Sequence, residues 1–115
     1  MVRGEVYFVD LAPRSGSEQA GRRPCLLVSH DVFTSNARWR SVTVVPLTTA
    51  PRWQQPSPTT VVLTTGEANL PRAGALLAHQ VTTVDKSKLV EPPIGRLTPS
   101  RLAEVDAALR NYLRL

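Results

Sequence analysis

Apolar residues alternate with polar ones, or run unbroken for a few positions, in six stretches of the chain: residues 5–11, 24–29, 41–48, 59–64, 74–84 and 89–97. β-Branched and aromatic residues dominate these stretches, and glycines, prolines and polar clusters separate them, which is the signature of strands. Residues 31–37 and 85–88 read as two short helical segments between strands. After Thr98 the period changes. Leu102, Val105, Leu109, Tyr112 and Leu113 follow one another at spacings of 3, 4, 3 and 1, while Arg101, Glu104, Asp106, Arg110 and Arg114 lie mostly off that stripe. Thr98 is an N-cap residue type and Pro99 suits the first helical position, so a C-terminal helix is predicted. Its stripe packs on the sheet or serves a subunit contact. The expected fold is mainly β with α: one domain over residues 1–115, built as a small, strongly curved antiparallel barrel and closed by the terminal helix.

Two connections stand out. Residues 12–24 are long for a hairpin, and long connections in compact domains often carry function. Residues 50–58, APRWQQPSP, hold three prolines, which predicts a loop without regular structure.

Charge narrows the class of partner. Fourteen lysines and arginines against nine acidic residues leave +5. That excess points to a polyanion, with nucleic acid ahead of anionic lipid. Cys25 is the single cysteine, so no internal disulfide and no cysteine-based metal site can form, which fits a reducing compartment. No apolar stretch approaches the ~18 residues of a membrane span. Met1 is followed by Val2, Arg3, Gly4 and Glu5 rather than by an apolar leader core. The expected location is the cytoplasm.

The polar constellations are modest one by one. Glu18, Gln19, Arg22 and Arg23 crowd the end of the first long connection, and Pro24 biases Arg23 toward extended backbone. A guanidinium on a stiff base suits bidentate phosphate binding, and a solvated loop with a Glu18–arginine ion pair is the plainer alternative. Thr48 and Thr49 end the third strand, where tandem hydroxyls either donate to phosphate oxygens or begin a turn. His79 and Gln80 interrupt the apolar run 74–84, as a general base or as a half-wet strand histidine. His30 sits where it can start the short helix. Trp39, between Arg38 and Arg40, reads either as a base-stacking residue or as a lid on the core. Trp53, after Arg52 in the proline loop, is the better base platform or partner anchor. Cys25 reads as inert packing. No serine–histidine–aspartate set, phosphate-binding glycine loop or zinc spacing is present. The residues by themselves describe a basic β-barrel that binds nucleic acid, and they do not name a reaction.

In order along the chain, five motifs resemble the MazF/PemK (Kid) family of toxin endoribonucleases. Arg3-Gly4-Glu5-Val6-Tyr7-Phe8-Val9-Asp10-Leu11 is similar to that family's RGEVYWVDL opening. Gly16-Ser17-Glu18-Gln19 and Gly21-Arg22-Arg23-Pro24 resemble its GSEQ…RRP segment. Val45-Pro46-Leu47-Thr48-Thr49, the stretch from Gln80 to Leu89, and Gly95-Arg96-Leu97 complete the set.

The resemblance implies an SH3-like barrel, a homodimer, no cofactor, and metal-independent cleavage of single-stranded RNA at short sequences. It also implies a cognate antitoxin whose flexible acidic C-terminal segment covers the RNA site, with operator DNA reached only through that antitoxin and no membrane contact. Arg23, Thr48 and Glu18 take the catalytic positions. Gln19, Arg22, Thr49, Trp53, His79 and Gln80 take RNA-contacting ones. Two positions depart from the family pattern: His79 stands where many relatives carry an acid, and His30-Asp31 stands where they often read Asn-Asp. Two alternatives remain at this level, a gyrase inhibitor of the CcdB type and a relative that binds RNA or antitoxin without cutting.

Overall fold

Side chains of β1 (Glu5–Asp10) and β2 (Arg22–Leu27) alternate between two apolar clusters, because successive residues of a strand point to opposite faces. Val6 and Leu26 enter one cluster; Tyr7, Val9, Cys25 and Leu27 enter the other. β3 (Ser41–Thr48) divides the same way, with Val45 and Leu47 on the first side and Val42 and Val44 on the second. Burial on both faces explains the nearly unbroken apolar runs. The computed structural model behind this description covers residues 1–11, 16 and 21–115.

The remaining strands are β4 (Thr60–Leu63), β5 (Gly74–Leu77), β6 (Thr82–Asp85) and β7 (Leu89–Arg96). The antiparallel path runs β4-β5-β3-β2-β1-β7, and β6 pairs with β3. Its two ends curl toward each other. A 3₁₀ turn at Glu67–Asn69 follows β4 and packs on β7, where Asn69 Nδ2 donates to the Ile94 carbonyl at 3.2 Å. Gly95 allows this approach, since a Cβ there would lie 2.1 Å from the Ala68 carbonyl oxygen. This is the predicted curved, mainly β architecture with a terminal helix.

Of the two helices, α1 (Asp31–Thr34) is short and starts as expected, with His30 Nδ1 accepting from the Val32 N–H at 3.0 Å. α2 (Pro99–Leu113) begins at Thr98, whose hydroxyl accepts from the Arg101 N–H at 3.3 Å. Val105 and Ala108 are buried in the first cluster and Leu102 and Leu109 pack against it, so the forward part of the stripe covers the sheet. Tyr112 and Leu113 are half exposed and do not.

Three expectations need correction. Residues 74–84 form two strands rather than one. β5 pairs Leu47 and Thr48 of β3, whereas β6 pairs the Ser41–Val44 portion. A 3₁₀ turn, Ala78–Gln80, carries the chain from one half of β3 to the other. His79 and Gln80 are therefore turn residues and not strand residues. The helical segment at 85–88 is a single 3₁₀ turn, Lys86–Lys88, capped by the Asp85 carboxylate on the Ser87 N–H at 2.8 Å. In the proline loop, Pro51–Trp53 forms a 3₁₀ turn, which a leading proline tolerates because its missing N–H has no partner to lose there. No helix among the described residues is long and apolar enough to cross a membrane.

Candidate active site

Strand pleating separates the two adjacent arginines. β2 and β3 pair with Cys25 across from Pro46, Leu26 from Val45 and Leu27 from Val44. Continued by two residues, this register sets Arg23 across from Thr48, and directly opposed residues project from the same face. Arg23 shares the parity of Cys25 and Leu27, and Thr48 that of Val42 and Val44. By this alternation both fall on the side of the second cluster, beyond Cys25 and Val44. Thr48 is only 4% exposed, and its Oγ1 accepts from the Ala50 N–H at 3.2 Å. With that lone pair engaged, the hydroxyl hydrogen remains available to an acceptor.

Arg22 and Thr49 lie on the reverse face. Arg22 extends over the Phe8 ring, 5.0 Å from its centroid, in a cation–π contact. Phe8 pairs with Pro24 across β1 and β2. Together with Leu47, Thr49, Leu70 and Ile94 they line an apolar cavity of about 190 Å³, which Arg72 also borders. Of the predicted pairs, then, Arg23 and Thr48 share one face, and Arg22 and Thr49 share the other.

Trp53 and His79 form a third group. Their ring centroids lie 5.0 Å apart at an interplanar angle of 40°. Arg52 lies over the Trp53 ring, 5.8 Å from its centroid, and Tyr112 of α2 meets the imidazole edge-on at 6.3 Å. Thr59 Oγ1 is 3.2 Å from His79 Nδ1, so the imidazole is held on one nitrogen and packed between two rings. Gln54 Nε2 donates to the Thr49 carbonyl at 2.8 Å, tying the proline loop to the strand end that carries Thr48. Gln80 is half-buried beside His79. Glu18 and Gln19 lie outside the described residues. Trp39 is not a lid: it is 47% exposed and rests on Phe33, at the opposite end of β3 from Thr48.

Sequence reasoning missed Phe8, Tyr112, Thr59 and Arg72. Phe8 could have been found, because it shares a strand face with Asp10, which marks that end of the face as open to water. Tyr112 was absorbed into the helical stripe, and nothing local marks Thr59 or Arg72.

Comparison with known proteins agrees with this fold. The family of PemK-like, MazF-like toxins of type II toxin–antitoxin systems matches residues 2–113. Endoribonuclease EndoA of Bacillus subtilis is 34% identical over 113 residues, covering 98% of this chain and 94% of that protein. Endoribonuclease MazF of Staphylococcus epidermidis is 36% identical over 107 residues, covering 93% and 86%. Among solved structures, a mycobacterial endoribonuclease in complex with its cognate antitoxin superposes with a TM-score of 0.78 at 28% identity, over 100% of this chain and 96% of that one. MazF from Deinococcus radiodurans, at 24% identity, shares the fold with a TM-score of 0.80 over 100% and 97% of the two chains. With nearly its full length matched, the chain belongs to the PemK/MazF toxin family of type II toxin–antitoxin systems.

Proposed function

We propose that this toxin is an endoribonuclease that cuts single-stranded RNA by attack of a ribose 2′-hydroxyl on the adjacent phosphorus. The new 2′-O–P bond forms as the P–O5′ bond breaks, leaving a 2′,3′-cyclic phosphate and a 5′-hydroxyl. The 2′ proton passes to a base, for which Glu18 is the simplest choice, and the departing 5′ oxygen takes up a proton. Negative charge grows on the non-bridging oxygens. Arg23 donates to them through its guanidinium and Thr48 through its free hydroxyl hydrogen. An arginine remains protonated and is a poor base, so Arg23 acts as an electrostatic stabiliser.

The reading rests on the β2–β3 register, which pairs Cys25 with Pro46 and, continued by two residues, would set Arg23 across from Thr48. Trp53, tilted against His79, supplies a ring face for a neighbouring base, and Arg22, Thr49, Gln19 and Gln80 supply further contacts to the strand. The packed, hydrogen-bonded setting of His79 favours base preference over proton transfer as its role. The mycobacterial relative solved with its cognate antitoxin supports an antitoxin as partner. Exposed Tyr112 and Leu113 at the end of α2, and Leu115 just beyond it, support a homodimer. Cytoplasmic action accords with the lone buried Cys25.

Purified protein is expected to cut single-stranded RNA in excess EDTA and to leave cyclic-phosphate ends. Arg23→Ala is expected to lower kcat by about 10²–10³ with the thermal midpoint unchanged, the usual cost of removing one such donor. Loss of wild-type cutting in EDTA, or an Arg23→Ala variant that cuts normally, would overturn the mechanism.

A further inference from the structure

The loop between α1 and β3 displays an aromatic and cationic surface that the catalytic face does not use. Trp39 is 47% exposed, Phe33 41% and Val32 59%. The Trp39 and Phe33 rings lie 4.9 Å apart at 45°. Arg38 and Arg40 flank the indole and are exposed. These three residues and Ser41 form one wall of an open groove of about 440 Å³, and Thr83, Val84 and Asp85 of β6 form the other.

This surface is held in shape from beneath. Lys86 is 9% exposed, and its ammonium donates to the Asn36 carbonyl at 2.9 Å and the Phe33 carbonyl at 3.4 Å. Asn36 Oδ1 accepts from the Arg38 N–H at 3.0 Å, and the Asn36 carbonyl accepts from the Trp39 N–H at 3.0 Å. The Arg40 carbonyl accepts from the Lys86 N–H at 2.8 Å. Burying an ammonium is costly unless it is hydrogen-bonded, and here it fixes a loop whose aromatic rings face water.

We propose that the Arg38–Trp39–Arg40 platform is a second RNA-binding site, which takes a base on Trp39 and backbone phosphates on the two guanidiniums. The two ends of β3 carry this platform and Thr48, so at the usual strand rise they stand about 23 Å apart, a separation of several nucleotides. The site holds the flank of the RNA beyond the scissile linkage. A stacking surface between two cations is the chemistry of single-strand binding. An acidic peptide fits less well, because its carboxylates would meet the guanidiniums and leave the exposed indole unstacked. Hydrogen bonds from Ser87 and then Arg40 hold the Asp85 carboxyl below its usual range, which keeps it ionised. Such a carboxylate accepts from base N–H groups, and its Oδ2 lies 3.5 Å from Arg40 Nη2. The assignment to RNA rests on the proposed ribonuclease reading.

The test compares two RNAs that share one mapped cut site, one short and one with long single-stranded flanks. Trp39→Ala, and separately Arg38→Ala with Arg40→Ala, are expected to raise KM for the flanked RNA about tenfold, the loss typical of one stacked base, with kcat unchanged. The short RNA is expected to be cut as by wild type, and Trp39→Phe is expected to fall between. Thermal midpoints check folding, and the double arginine variant leaves the indole in place if Trp39→Ala disturbs the loop. Equal effects on both RNAs, or none, would overturn the second site. So would variants that keep RNA affinity and instead weaken binding of an acidic antitoxin peptide. The same comparison by fluorescence anisotropy, with short and long RNAs 2′-O-methylated at every position, needs neither turnover nor a mapped cut site. It therefore still decides the platform's role if the ribonuclease reading fails.

Discussion

Arg22 and Arg23 are neighbours in sequence and do different things, because the pleat sends them to opposite faces. The β2–β3 register, continued by two residues, sets Arg23 across from Thr48, whereas Arg22 lies over Phe8 beside the apolar cavity. Their substitutions should separate in kinetics. Arg22→Ala is expected to raise KM several-fold and leave kcat near wild type, since it removes binding common to ground and transition states. Arg23→Lys is expected not to rescue Arg23→Ala, because an ammonium lacks the planar fork that meets two phosphate oxygens. Thr48→Ser keeps the hydroxyl and is expected to retain most activity. Thr48→Val removes the donor and also leaves the Ala50 N–H unpaired, at a stability cost of about 1–3 kcal/mol. Steady-state kinetics on one mapped RNA checks all four. Arg22→Ala losing kcat as steeply as Arg23→Ala would contradict the division between faces.

Among the elements, β3 organises the site because it pairs with β2 on one edge and with β6 and then β5 on the other. Much of this was legible in the sequence. Alternation gave six strands, capping residues gave α2, and the resemblance singled out Arg23 and Thr48. The change of partner within residues 74–84 was not legible, because an apolar run carries no period that would mark where one strand stops. Contacts between residues far apart in sequence were hidden for a different reason: Trp53, His79 and Tyr112 come from a loop, a turn and a helix, and only the fold joins them. Gly95 shows how tightly these elements close. A Cβ there would strike the Ala68 backbone, and Ala68 itself holds a left-handed φ of 51°. Backbone cannot yield as a side chain can. Gly95→Ala is therefore expected to cost about 1–3 kcal/mol of stability, read as a lower denaturation midpoint. An unchanged midpoint would mean that the turn at Glu67–Asn69 moves aside freely.

For the whole molecule, ion pairs fasten α2 to the β-structure at two separated points. Arg3 near the N-terminus pairs with Asp106, and Arg101 pairs with Glu67 at 2.9 Å. Glu67 also accepts from the Thr64 N–H at 2.7 Å, so one carboxylate joins the turn after β4 to the helix. The Arg101 hydrogen bond, helped by those from Thr64, holds the Glu67 carboxyl below its usual range, and Glu67 in turn raises Arg101. A lowered carboxyl pKa makes the folded state bind fewer protons than the unfolded one. Its stabilising effect is therefore complete above the unfolded value of about 4.3 and disappears as pH falls through the lower folded value. Both side chains are about a quarter exposed, so water screens the pair, and a coupling of about 0.5–1 kcal/mol is expected at neutral pH. Arg101→Ala alone would mix this with lost packing of the arginine stem. A double-mutant cycle with Glu67→Gln isolates the pair. Thermal or denaturant melts of the four proteins should show that coupling at pH 7 and almost none near pH 2. A coupling of equal size at both values would show that the contact is not ionic, and would shift the attachment of α2 onto the apolar packing of Val105 and Ala108.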